Sequence, residues 1–201
     1  MELKGIDVSS YQGKPDWKKV AEAKIKVAIL RIAQRYGIDS SFEYNYRECR
    51  ENGILTGVYR YSYALSVEDI KKEAEEITEI LSKRKLAFPV WLDLEWEEQE
   101  NLPQSQLEEM IQEFRQVIIS AGYDFGIYCN RYWYENIIPE ECKKYSFWIA
   151  SYPYDDTGRI VEALKPPYGV GWQYSSKGSV PGIQGYVDLD LFHKERRLEC
   201  H

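Results

Sequence analysis

Phe88-Pro-Val-Trp-Leu-Asp-Leu-Glu-Trp96 is a short apolar run that ends on two acids, Asp93 and Glu95. A run of this length reads as a buried strand. Successive strand side chains alternate faces, so Asp93 and Glu95 point the same way. Two residues at about 3.3 Å rise each set their backbones roughly 6.6 Å apart. Trp91 and Trp96 frame the pair. Paired carboxylates beside aromatic rings suit cleavage of a glycosidic bond. One acid donates a proton to the leaving oxygen, and the other stabilises or attacks the developing cation. An acidic strand end facing solvent has the same local sequence, so the rest of the chain must decide.

Outward from this strand, extended and helical patterns alternate. Strand patterns cover residues 3–9, 26–33, 55–63, 88–95, 125–129, 147–151, 168–174 and 186–192. Helical periodicity covers 16–23, 40–52, 66–85, 105–121 and 132–137, with Asp16 and Ser66 as N-caps and Gly53 and Gly122 as stops. Strand–helix alternation argues a parallel sheet. Eight strands with fewer helices predict an irregular α/β barrel, lacking some crossover helices of a full eightfold barrel near the end. No linker, repeat or low-complexity segment interrupts residues 1–201, which read as one domain. In a parallel barrel the site lies where the strands end. Asp7, Tyr61, Tyr63, Asp93, Glu95, Asn130, Ser151, Tyr152, Gln173, Tyr174, Asp188 and Asp190 fall near that rim. The first and last strands of a closed barrel are neighbours, so Asp7 and Asp188 can meet.

Composition narrows the chemistry. The net charge of −7 argues against nucleic acid as a partner. Seventeen Tyr and six Trp are an unusual share. Such rings join a flat apolar face to a polar tip and so suit both sugars and a barrel core. No apolar stretch of about 18 residues is present to span a membrane, and the start lacks the apolar segment of a signal peptide. Cys49, Cys129, Cys142 and Cys200 include no CxxC pair, so buried thiols are expected. With only His193 and His201, a Ser–His or Cys–His system or a zinc hydrolase is disfavoured. Neither GxxxxGK[ST] nor a helix-opening GxGxxG is present. Carboxylate chemistry remains, or a hard cation such as Mg²⁺ held by Asp and Glu.

Six segments together resemble glycoside hydrolase family 25, the Chalaropsis-type muramidases. They are Gly5-Ile-Asp-Val-Ser-Ser-Tyr-Gln-Gly13 with Asp16-Trp17, Trp91-Leu-Asp-Leu-Glu95, Gly126-Ile-Tyr-Cys-Asn130, Phe147-Trp-Ile-Ala-Ser-Tyr152, Trp172-Gln-Tyr-Ser-Ser176 and Gly185-Tyr-Val-Asp-Leu-Asp190. They follow the family order across nearly the whole chain. The resemblance implies an irregular β/α barrel that cleaves the β-1,4 bond between N-acetylmuramic acid and N-acetylglucosamine in peptidoglycan. It implies Glu95 as proton donor, Asp93 as its partner carboxylate, and Asp7 and Asp188 as the remaining acids. It further implies retention, with the substrate's own acetamido group attacking and Asp93 orienting it. Backbone spacing alone leaves retaining and inverting geometries open.

Those roles carry expectations. Glu95 should have a raised pKa, pushed up by Asp93 and by cover from Trp96 or Trp91, while Asp93 stays ionised. Tyr61, Tyr63, Tyr128, Tyr152, Trp172 and Gln173 are the candidate sugar contacts, Tyr63 and Trp172 foremost. Arg31 is expected to line the barrel, paired to an inner acid. Tyr61 stands where many family members carry His. No cofactor or metal is expected. The protein is expected to be a monomer acting on bacterial glycan strands at the wall, by an export route the chain does not reveal. The alternatives are a glycan-binding module on an inactive barrel and a Mg²⁺ enzyme using Asp7, Asp93, Glu95 and Asp188.

Overall fold

A computed structural model describes residues 2–193. In chain order the elements are β1 (Glu2–Val8), α1 (Trp17–Glu22), β2 (Val27–Gln34), the two-residue β3 (Gly37–Ile38), α2 (Phe42–Glu51), β4 (Leu55–Tyr61), α3 (Val67–Leu81), β5 (Val90–Asp93), α4 (Gln104–Ser120), β6 (Phe125–Asn130), α5 (Arg131–Asn136), β7 (Ser146–Ala150), β8 (Gly171–Gly178) and β9 (Val187–His193). Eight strands close a barrel in the order β1-β2-β4-β5-β6-β7-β8-β9, with β9 returning to β1. β3 forms a short hairpin with the end of β2 and lies outside the ring. All eight expected strands are present, and β3 was not anticipated.

Helix limits follow their caps. The Asp16 carboxylate accepts from the Lys19 amide at 3.2 Å, and Ser66 Oγ accepts from the Asp69 amide at 3.1 Å. The expected helix 66–85 stops at Leu81, because Ser82 and Lys83 turn into the left-handed region at φ 42° and 66°. Among the described residues, no helix is long and apolar enough to cross a membrane.

The expectation of a parallel sheet holds from β1 through β8 and fails at β9, which runs antiparallel to both neighbours. The connection 179–186 is short, whereas a parallel return needs a crossover of about a dozen residues or more. β9 therefore starts at the rim where the other strands end, which puts Asp188 directly opposite Asp7.

Two apolar layers support this rim. The outer layer packs helices on the barrel, with Ile70, Ala74 and Ile77 of α3 and Leu107, Ile111 and Phe114 of α4 fully or almost fully buried. The inner layer fills the barrel floor with Val27, Ile29, Phe88, Trp91, Trp148 and Phe192. Glycines opposite these rings make the room. A Cβ on Gly126 would sit 2.3 Å from the Trp91 ring, and one on Gly171 would sit 2.6 Å from Phe192. Cys49, Cys129 and Cys142 are buried free thiols; Cys200 and His201 lie outside the described residues. His193 ends β9 at the far end of the barrel, 3.7 Å from the Glu2 carboxylate.

Candidate active site

Above the aromatic floor the inner face turns polar and opens into a cleft of about 690 Å³. Asp7 near the end of β1 and Asp188 near the start of β9 meet there. Asp93, the last residue of β5, is in register with Tyr61 of β4 and Tyr128 of β6. Glu95 lies just beyond the strand but keeps its alternation. Leu94 is buried in the outer layer, its amide donating to the Tyr128 carbonyl at 3.0 Å, and Glu95 swings back to the cleft. The fold thus brings Asp7, Asp93, Glu95 and Asp188 into one cavity, with Tyr61, Tyr63, Tyr128, Tyr152 and Gln173 on its walls.

A hydrogen-bonded chain crosses the cleft beneath these acids. The buried Tyr128 hydroxyl donates to Gln173 Oε1 at 2.9 Å, and Gln173 Nε2 donates to Asp7 Oδ2 at 2.8 Å. Deeper still, Asp190 accepts from Trp148 Nε1 at 2.9 Å, while its other oxygen has no protein partner.

Burial and crowding raise the pKa of every carboxyl in this cluster. For Glu95 burial is the main cause, followed by the charge of Asp188. For Asp93 it is burial and then Glu95. For Asp7 it is burial and then Asp188 and Asp190, against the hydrogen bond from Gln173. Asp188 is pushed up to about 6, chiefly by burial. Asp188 joins the expected Asp93 in crowding Glu95, since Asp93 and Glu95 also repel each other. One expectation changes. Asp93 is not held ionised by its surroundings, because it is 3% exposed and its Oδ1 has no partner. Trp91 sits in the floor, and Trp96 packs its ring edge-on against Tyr63 at 5.4 Å.

The glycosyl hydrolases family 25 pattern matches residues 6–183, from the end of β1 through most of the β8–β9 connection. The chain belongs to that family. It is 31% identical over 193 residues to a protein named autolytic lysozyme from Clostridium acetobutylicum, covering 94% of this chain and 56% of that protein. It is 25% identical to lysozyme M1 of Streptomyces globisporus, covering 95% of this chain and 68% of that one. The modular autolysin LytC of Streptococcus pneumoniae, solved with a synthetic peptidoglycan ligand, superposes with a TM-score of 0.81 at 26% identity, over 96% of this chain and 47% of that chain. The chain therefore spans about half the length of the clostridial and pneumococcal proteins.

Within this family-25 cleft, Trp172 is the misplaced candidate. Gln173 faces the cavity, and consecutive strand residues cannot both do so. The Trp172 indole turns outward, donates to the Ser151 carbonyl at 2.8 Å and packs on Tyr174. Asn130 caps α5 by accepting from the Trp133 amide at 2.9 Å. Arg31 does line the cleft, but its acid is Asp39 from the loop after β3, at 2.6 Å. Arg35, at the tip of the β2–β3 hairpin, and Tyr11 complete the rim. Neither was singled out from sequence. Their signal is a pair of exposed aromatics, Tyr11 and Tyr36, in loops next to strand ends. Among the described residues, no three His, Cys, Asp or Glu side chains are arranged to hold a metal ion.

Proposed function

We propose that this chain is a lysozyme that hydrolyses the β-1,4 bond between N-acetylmuramic acid and N-acetylglucosamine in peptidoglycan. One observation carries the reading. Acids from three separate strand regions share one aromatic-walled cleft, at the end of the barrel where α/β-barrel enzymes bind substrate. Glu95 is the general acid, since its raised pKa keeps a proton available at pH values where an ordinary carboxyl has lost it. Asp93 and Glu95 titrate as a pair that does not lose both protons readily, because ionising one raises the other.

The bond breaks in two steps. Glu95 gives its proton to the glycosidic oxygen, and the C1–O electron pair leaves with that oxygen. The acetamido carbonyl oxygen of the cleaved sugar bonds to C1 while Asp93 accepts from the acetamido N–H. Water then attacks C1, Glu95 takes its proton, and the acetamido group is restored. Two inversions give net retention. Asp188 keeps the Glu95 proton in place electrostatically, and Asp7, fixed by Gln173, lines the cleft beside Asp188. Tyr61, Tyr63, Tyr128 and Tyr152 face the sugars. The presence of the proton donor separates this reading from an inactive glycan-binding barrel. The enzyme acts on the wall as a monomer without a cofactor, in keeping with relatives named as autolysins.

The direct test is mass spectrometry of borohydride-reduced fragments after the protein digests purified peptidoglycan in EDTA. Reduced muramic acid at the new ends is expected. Reduced N-acetylglucosamine ends, or dependence on added metal, defeats the assignment.

A further inference from the structure

The cleft acids leave one rim cation unclaimed. Arg31 is committed to Asp39 and to Ser10 Oγ, at 2.6 and 2.8 Å. Arg35 makes no hydrogen bond or ion pair among the described residues. Its guanidinium instead lies over aromatic rings, 4.8 Å from Tyr63, 5.7 Å from Trp96 and 5.8 Å from Tyr36. Cation–π contact of this kind holds the group beside the rings and uses none of its N–H donors, which stay available for a carboxylate. A barrel crowded with buried acids otherwise repels such a ligand.

The platform is anchored from below. Buried Arg60 donates from Nη1 to the Gln34 carbonyl at 2.7 Å, just before Arg35, and pairs with Glu76 at 3.1 Å and Glu73 at 3.8 Å. Glu73 in turn accepts from the Tyr63 amide at 3.0 Å. One buried ion cluster therefore positions both the hairpin that carries Arg35 and the ring on which Arg35 lies. The same contact holds the end of β2, whose last residue is Gln34, so the hairpin that carries Arg35 leaves the barrel from a fixed point.

We propose that Arg35 is a specificity residue that binds a carboxylate on the O3 substituent of the muramic sugar. This deepens the lysozyme reading and rests on it. Two sources share the chemistry: the lactyl carboxylate of peptide-free glycan, and a carboxylate of the attached stem peptide. Either adds a charge-assisted pair away from the scissile bond and so acts on substrate binding.

The test compares wild type with Arg35→Gln on three substrates prepared from walls stripped of phosphate polymers. They are peptide-bearing glycan, amidase-treated glycan with free lactyl carboxylates, and peptide-bearing glycan whose carboxyls have been converted to amides. Kinetics of reducing-end release are measured on each. On one of the two carboxylate substrates, kcat/KM of the variant relative to wild type is expected to fall about tenfold further than on the amide-blocked glycan, mainly through KM. Which substrate shows the loss identifies the source. Equal losses on all three, or none, overturn the proposal and reduce Arg35 to a packing element. Wild-type protein that cleaves none of the three overturns the lysozyme reading itself.

Discussion

Two sets of buried acids in this barrel differ in what surrounds them. Asp39 and Asp156 sit in loops and are saturated with donors. Asp39 accepts from the Ser41 amide and hydroxyl, from Arg31 and from the Ser10 amide. Asp156 accepts from the Gly158 and Ser176 amides and from the Ser175 and Ser176 hydroxyls. Burial alone would raise both pKa values, but these hydrogen bonds outweigh it and lower them. Asp7, Asp93 and Asp190 are buried and Glu95 and Asp188 half-buried, but these five lie deeper in the barrel and are under-supplied with donors, and all are raised. The first set ties loops to the barrel. The second is left short of donors in and beneath the cleft, where, on the proposed function, a substrate relieves it. On the proposed function, stability and chemistry fall to different carboxylates.

The comparison breaks most visibly at Glu95. Glu95→Gln should lower the turnover of peptidoglycan by about 10²–10⁴, the usual worth of a general acid. The same variant should melt no lower than wild type at pH 7, because it removes a raised, crowded acid. Turnover near the wild-type rate would reject the role. A large drop in melting temperature would instead place Glu95 with the structural set.

Asp39→Ala should act in the opposite sense. Leaving Arg31 and the Ser10 and Ser41 donors unpaired is expected to cost about 2–4 kcal/mol in urea unfolding. Since the folded pKa of Asp39 is lowered, its contribution is present above the unfolded value of about 3.9 and fades as pH falls through the folded one. The gap between wild type and variant should therefore close in acid. A gap that stays constant to pH 3 would mean that packing, not charge, makes Asp39 stabilising.

Asp188 sharpens the contrast from the other side. Its folded pKa of about 6 lies above its unfolded value, so its burden is absent in acid and grows as pH rises through that interval. Asp188→Asn should gain about 1–2 kcal/mol at pH 7, with the gain disappearing below about pH 4. Activity should fall in the same variant, with the alkaline limb of its pH profile moved to lower pH, because Glu95 loses a neighbouring charge that raises it. An unmoved limb would detach Asp188 from Glu95.

Much of this division was legible in the chain. Strand alternation put Asp93 and Glu95 on one face, and closure of a barrel implied that Asp7 and Asp188 could meet. What stayed hidden depends on register and depth. The direction of β9 is set by the short connection before it, not by a pattern within the strand. Trp172 and Gln173 were both read as sugar contacts, yet only the pairing of β8 with its neighbours tells which one faces inward. The charge state of Asp93 follows from how deeply β5 sits, and no local motif records that. Arg35 escaped notice because a turn before a two-residue strand carries almost no periodicity, and the rings around it come from its own turn and from the segments after β4 and β5.

The smallest expected effect tests whether Asp7 belongs wholly to the donor-poor set. Its one hydrogen bond comes from Gln173, and that amide is oriented only because the Tyr128 hydroxyl donates to its oxygen. Tyr128→Phe removes the hydroxyl but keeps the ring, which packs tilted at 55° against Trp148 with centroids 4.3 Å apart. The amide is then free to turn its oxygen toward Asp7, and the carboxylate loses the contact that opposes its raised pKa. A loss of about 0.5–1.5 kcal/mol in stability is expected. Asp7 should then hold its proton to higher pH, shifting its carboxyl titration upward in ¹³C NMR. The Tyr128→Phe, Gln173→Ala double variant decides the route. If the tyrosine acts through the amide, adding its change to Gln173→Ala should shift Asp7 no further. Additive shifts would show that Tyr128 reaches Asp7 independently, and the hydrogen-bonded chain would lose its standing as the unit that positions this acid.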